Sequence, residues 1–296
     1  LSHGSKIVTA MQARQEILVW TDSSVYSLQY LGAPVVWGAQ LVGENTSIVS
    51  QNAVAYAGGT AYWMGMDKFY KYDGRVQTLR CDLRQFVYED INLNQEQQIV
   101  SGSNEGFNEV WWFYCSADAV QNDRYVVYNY LEDIWYYGQM SRSAWLDSGL
   151  RAYPIAAATD YNVLVNHEVG VDDRTLDDPV PIEAFITSAE FDLDDGHNFM
   201  FVWRMLPDVT FRGSDAAGPQ ITMSLLPLKN SGSGYTDPAS IGGSNSATVT
   251  QTVSFPVEEF TGQVYTRVRA RQMAMRIDST ALGVTWQLGA PRIDMR

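Results

Sequence analysis

The residues in this sequence best placed to do chemistry are arginines. In Thr266-Arg267-Val268-Arg269-Ala270-Arg271-Gln272-Met273, a strand period of two sets Arg267, Arg269 and Arg271 on one face, and Arg276 follows at the odd end of the same strand. Rows of guanidinium groups recognise carboxylates and phosphates through paired N–H donors. The stripe therefore reads either as a solvated face pairing with local Asp and Glu, or as a charged interface to an acidic neighbour or to DNA passing nearby. A formal net charge of −14, from 34 acidic and 20 basic residues, makes an acidic protein the better partner. A protein whose main task is coating nucleic acid needs Lys and Arg in excess.

Other chemistries find little purchase. No nucleophile elbow, zinc-protease pair, CxxC, phosphate loop or dinucleotide fingerprint occurs. His3, His167 and His197 lie far apart, with no second ligand at metal spacing. The run Asp192-Leu193-Asp194-Asp195-Gly196 invites a calcium reading, but Gly196 and Trp203 stand where a helix-loop-helix site needs its fifth and twelfth ligands. An acidic turn is the simpler account. Glu89 with Asp90, and Glu132 with Asp133, are carboxylate pairs of the type glycoside hydrolysis uses, yet sequence neighbours on a turn point different ways. Trp37, Tyr62, Trp111 and Trp145 could stack on sugar rings if exposed, although their alternation within strands favours burial. Cys81 and Cys115 read as two free thiols. The expectation is a protein that is not an enzyme and holds no cofactor or metal.

The elements that must position these groups are strands. Glu109 to Gly138 reads as three aromatic, β-branched runs, Val110 to Cys115, Arg124 to Tyr130 and Ile134 to Tyr137, joined by polar turns. So many rings need another sheet as cover. The same theme recurs at Val19 to Leu28, Ala53 to Tyr72 and Ala156 to Val165, and the steps from Trp20 to Trp63 to Trp112 to Ala158 fall in the range of β-propeller blades. About three blades are visible where four or more close a ring. Together with a start, LSHGSKIV, that lacks an initiator Met, this suggests a piece of a longer chain.

The predicted fold class is all-β: a partial or irregular β-propeller-like region over 1–170, then a β-sandwich-like domain over 182–296. One short helical insert near 82–98 interrupts the first region, with Asp82 as N-cap and Leu83, Phe86, Val87 and Asp90 at helical spacing. An acidic linker, 171–181, separates the two. The sandwich strands are expected at Ile182 to Phe191, Phe199 to Phe211, Gln220 to Leu228, Ala247 to Phe255, Gln263 to Ile277 and Val284 to Leu288. The Gly- and Ser-rich stretch Asn230 to Ser246 reads as a mobile loop, or one that a partner orders. No apolar run approaches the length of a membrane helix.

The strings EILVWTDSSVYSLQYLG, AYWMGMDKFYKYDGRVQTL, EVWWFYCSA, DRYVVYNYLEDIWYYG and RQMAMRIDSTALGVTWQLGAPRIDMR resemble the tail hub or nozzle proteins of short-tailed bacteriophages, related to packaged-DNA-stabilisation and tail tubular B proteins. The resemblance spans nearly the whole chain and is strongest from Glu16 to Pro154. It implies a virion structural protein, made in the host cytoplasm. Copies would assemble as a ring, usually of six, beneath the portal and adaptor, extending the DNA channel and helping to retain and deliver the genome. It carries over no catalytic residues. The competing expectation is a glycan- or receptor-binding propeller module of a virion.

Overall fold

The computed structural model describes residues 3–149, 151–194, 196–228 and 252–296. The expected loop Asn230 to Ser246, the first residues of the expected strand Ala247 to Phe255, and Asp195 of the acidic turn lie outside them. The fold is all-β, with 50% strand and 5% helix. The chain divides into two compact units, Leu1–Val169 and Gly170–Arg296.

The first unit is a series of antiparallel meanders, each pairing its strands in sequence order. β1 (Ile7–Gln12), β2 (Ile17–Thr21), β3 (Ser24–Tyr30) and β4 (Trp37–Glu44) form one sheet. β5 (Val54–Ala57), β6 (Thr60–Met64), β7 (Phe69–Tyr72) and β8 (Val76–Leu79) form the next. β9 (Val100–Asn104), β10 (Glu109–Tyr114), β11 (Arg124–Asn129) and β12 (Ile134–Gln139) make a third. β13 (Ala144–Leu146), β14 (Ile155–Ala158) and β15 (Val163–Asn166) complete the series. Gly58 and Gly59 both have positive φ, as the tight turn between β5 and β6 requires.

Alternation along each central strand sends rings to both faces. On β10, Trp112 packs toward Phe69 of the preceding sheet at 5.0 Å, while Trp111 stacks on Trp145 of the following one at 5.5 Å. On β6, Trp63 meets Trp20 at 5.5 Å, and Tyr62 lies against Tyr128 and Tyr130. The indoles also bond. Trp63 donates to the Ser47 carbonyl, Trp112 to Ala53, Trp135 to Arg80 and Trp145 to Ser103, at 2.7–3.2 Å. Trp20 is wholly buried, and its indole N–H has no hydrogen-bond partner among the described residues. Gly102 of β9 is glycine because the Trp145 ring lies where a Cβ would stand.

The helical insert is shorter than expected. α1 runs Arg84–Asp90, followed by two 3-10 turns across Leu93–Gln98, kinked at Gln95. Asp82 is not the cap: Leu83 takes that position, and the Asp82 carboxylate pairs instead with Arg80. The side-chain cap is Asn92, which accepts from the Asn94 amide ahead of the 3-10 turns.

The second unit begins with a small hairpin, β16 (Asp172–Asp173) paired with β17 (Val180–Pro181), so the stretch expected as a linker is folded. Asp172 is buried and accepts from the Gly283 amide at 2.8 Å. The strands that follow are β18 (Ala184–Thr187), β19 (Phe191–Asp192), β20 (Met200–Leu206), β21 (Val209–Thr210), β22 (Gln220–Leu228) and β23 (Val253–Glu258). Then come β24 (Val264–Ala270), β25 (Gln272–Ser279), β26 (Gln287–Leu288) and β27 (Arg292–Met295). The order β18-β25-β22-β23, with β19 also on β25, makes the larger sheet. The order β24-β20-β27 makes a smaller one, and β21 pairs with β26. Met200, Val202, Met205, Val268 and Ala270 from the smaller sheet pack with Ile221, Met223, Leu225, Met273 and Ile277 from the larger. Two sheets sharing one core are a sandwich.

The expected strand Gln263 to Ile277 is therefore two. At Arg271, whose amide bonds the Leu228 carbonyl, the chain leaves the smaller sheet for the larger. Arg276 thus does not extend the arginine stripe. It lies on β25, chelates Asp278 at 2.6–2.9 Å and sits over the Phe185 ring.

Candidate functional site: an arginine and aromatic sheet face

On β24, Thr266, Val268 and Ala270 point into the core, which sends Tyr265, Arg267 and Arg269 outward. The fold continues that row across the sheet. Phe201 on β20 pairs with Arg269, and a bulge between Val202 and Arg204 turns both Trp203 and Arg204 to the outer face while Met205 returns to the core. On β27, Ile293 and Met295 pack inward, leaving Arg292, Asp294 and Arg296 outward. Arg271, at the corner, completes the group. One sheet face so carries Arg204, Arg267, Arg269, Arg271, Arg292 and Arg296. Asp294 is the one acid on the outward side of its three strands, within a chain of net charge −14.

The guanidinium groups are laid on rings. Arg269 and Arg271 each sit 4.8 Å from the Phe199 centroid, Arg204 lies 4.9 Å from Trp203, and Arg296 lies 5.4 Å from Phe201. Such contacts hold the flat face of each cation against a ring. Arg271 also donates to the His197 carbonyl at 3.2 Å, and Arg204 bonds Asp294 at 2.5 Å. Tyr265, 67% exposed, and Trp203, 38% exposed, supply apolar area among the charges. The arrangement can bind a surface rich in carboxylates or phosphates. Sequence spacing found Arg267, Arg269 and Arg271; it missed Arg204, Arg292 and Arg296, which only the pairing of β20 with its neighbours brings alongside.

The carboxylate pairs read from sequence as turn neighbours have other partners: Glu89, Asp90 and Asp133 are each engaged elsewhere. Glu89 is bonded by Gln85, Asp90 faces Arg124 at 3.7 Å, and Asp133 accepts from Tyr128. Asp90 and Arg124 border a shallow cleft of about 270 Å³ with Phe86 and Glu89. The fold instead joins Glu109 and Glu168 through the buried Asn104, whose side-chain amide donates to both at 3.4 and 3.1 Å. Glu109 also accepts from the Trp111 indole at 2.9 Å and from the Tyr136 hydroxyl. Burial raises both carboxyl pKa values, and the Glu109 charge raises that of Glu168 further. No sequence spacing signals this pair.

The remaining candidates are dispersed. His167 accepts from Arg142 and lies against Trp145; His3 and His197 are elsewhere. Among the described residues, no three His, Cys, Asp or Glu are grouped to hold a metal. Asp192 accepts from Gln272, and Asp194 has positive φ, as in a turn. Of the four candidate sugar platforms, Tyr62 and Trp111 are buried and Trp145 stacks on Trp111. Trp37 alone of the four is open, edge-on to Tyr30. Cys81 and Cys115 are free, and burial pushes their thiols up to about 12 and about 11. No helix among the described residues is long and apolar enough to cross a membrane.

No protein-family model matches the chain, and no curated protein matches it. A solved structure it is similar to is the exo-beta-1,3-galactanase of Phanerochaete chrysosporium with galactose. The identity is 9% and the TM-score 0.29, over 94% of this chain and 78% of that one. The expectation that the chain is not an enzyme is withdrawn, because this neighbour is a glycoside hydrolase. At that TM-score the likeness assigns no activity in its place.

Proposed function

We propose that the chain is a structural subunit of a short-tailed bacteriophage tail, of the hub or nozzle kind. In this reading copies join as a ring that continues the DNA path below the portal and adaptor. The observation that carries it is the run of ring contacts from sheet to sheet, Trp20 to Trp63, Phe69 to Trp112 and Trp111 to Trp145. Sheets bonded face to face by buried indoles make a stiff wall, which suits a subunit of a tube. The sequence strings that resemble tail hub proteins support the same reading, and an acidic surface would keep DNA from adhering in transit. Mass spectrometry of purified virions, with electron microscopy of the isolated protein, tests it. The expected result is the polypeptide among the tail proteins and rings in the images. A polypeptide absent from virions and monomeric when purified would overturn it.

A second reading, a glycan- or receptor-binding module, draws on one observation. The β3–β4 hairpin exposes Tyr30, Leu31, Val35, Val36 and Trp37 together, and an open Trp beside a Tyr is a platform on which sugar rings stack. Quenching of tryptophan fluorescence by host polysaccharide, lost in Trp37→Ala, would favour it.

A further inference from the structure

We infer that the arginine and aromatic face of the β24-β20-β27 sheet binds the acidic surface of a second copy of this chain, in a head-to-tail contact. The inference deepens the proposed assembly by naming the surface that makes it. The argument starts from charge. Of the 20 Lys and Arg and 34 Asp and Glu in the chain, this one face takes Arg204, Arg267, Arg269, Arg271, Arg292 and Arg296 against Asp294. The rest of the surface is therefore more negative than the total of −14 conveys. Two copies attract best when the arginine face of one meets the acidic remainder of the other.

The same segregation sets the geometry. Two such faces cannot meet each other, since arginines would oppose arginines, so a two-fold axis centred on this face is disfavoured. The contact that keeps arginines away from the symmetry axis most simply is heterologous, and it repeats from copy to copy, closing into a ring or running on as a filament. The residue types fit a protein partner. Arg, Trp and Tyr are the side chains enriched at the centres of protein interfaces, and the rings under Arg269, Arg271, Arg204 and Arg296 hold the guanidinium groups in place before binding. A nucleic acid is the weaker candidate, because a sequence pI of about 4.5 puts a repulsive field around the approach.

Sedimentation velocity of the full chain, run across protein concentration at low and high salt, tests the assignment. The wild type should form species larger than dimers, with association weakened at least tenfold by raising salt from about 0.05 to 0.5 M. Arg267→Glu with Arg269→Glu should remain monomeric with an unchanged melting temperature. Mixed in excess with wild type, that variant should arrest assembly at one-to-one dimers, because its acidic surface still accepts a wild-type face while its own face is spent. If the variant misfolds, the salt series on the wild type still decides. Assembly indifferent to salt, assembly by the variant alone, or mixing without arrest would overturn the inference. So would capture of a labelled DNA oligonucleotide by the wild type and not the variant, with no self-association. The outcomes separate from those of the tail reading: a protein found in virions whose assembly ignores these arginines would keep the function and lose this contact.

Discussion

The two units differ in where most of their large rings go. In the first, Trp63, Trp112, Phe69 and Phe113 are wholly buried, and indole N–H groups bond backbone carbonyls across neighbouring sheets and the segments joining them. In the second, methionine and aliphatic side chains make most of the core, with Phe211 buried among them, while Trp203, Phe199 and Phe201 carry arginines on or beside the outer face and Tyr265 stands exposed among them. A ring that packs between sheets contributes cohesion. A ring beneath a guanidinium contributes little to the fold and instead prepares a surface. Composition alone does not separate these roles; the face on which a strand places its odd residues does.

That contrast can be broken by substitution. Trp112→Ala should destabilise the first unit by about 3 to 5 kcal/mol, read by denaturant unfolding, since it empties a site with no solvent access. Gly102→Ala should cost about 1 to 3 kcal/mol, because its methyl meets the Trp145 ring and one of them must shift. Trp112→Phe and Trp20→Phe form a sharper pair. The first removes one of two hydrogen bonds to the Ala53 carbonyl, which keeps the Met64 amide, and should cost about 1 kcal/mol beyond its packing loss. The second removes a donor that has no partner among the described residues, so its penalty should be the smaller.

The Glu109 and Glu168 pair predicts a pH effect whose sign follows from the direction of the shifts. Both carboxyls hold their protons to higher pH in the folded chain than in the unfolded one. Their favourable contribution is thus fully present below the ordinary glutamate value of 4.5 and is lost as pH rises through the raised values. Melting temperatures taken from pH 4 to pH 8 should show this component, and Glu109→Gln should flatten it. At the other extreme, Arg267→Ala with Arg269→Ala should change unfolding by no more than about 0.5 kcal/mol, because exposed side chains carry little of the fold.

Much of the first unit was legible because its central strands announce themselves: ILVWT, TAYWM and EVWWFY alternate rings and β-branched residues between Asp, Asn and Gly turns. The outer strands were not. Val100–Asn104, VSGSN, has no ring and is held by pairing with β10, and Trp37–Glu44 carries two glycines and lies largely exposed. Arg267, Arg269 and Arg271 could be read from spacing along one strand. Arg204, Arg292 and Arg296 could not, since a bulge and two antiparallel pairings decide which way they face. Asp82 failed as a cap because the helix begins one residue later, with Leu83 at the cap position. The Glu109 and Glu168 pair depends on Asn104, a residue whose neighbours in sequence say nothing of either.

The central claim is that the buried rings hold the fold while the arginine face meets another molecule. Hydroxyl-radical footprinting with mass spectrometry, carried out from dilute to concentrated protein at low salt, tests it most directly. Trp203 and Tyr265 should oxidise readily when dilute and become protected as assemblies form, while Trp63 and Trp112 stay protected throughout. Oxidation of Trp63 and Trp112 in the dilute protein, or Trp203 and Tyr265 equally reactive at every concentration at which assemblies are present, would contradict it.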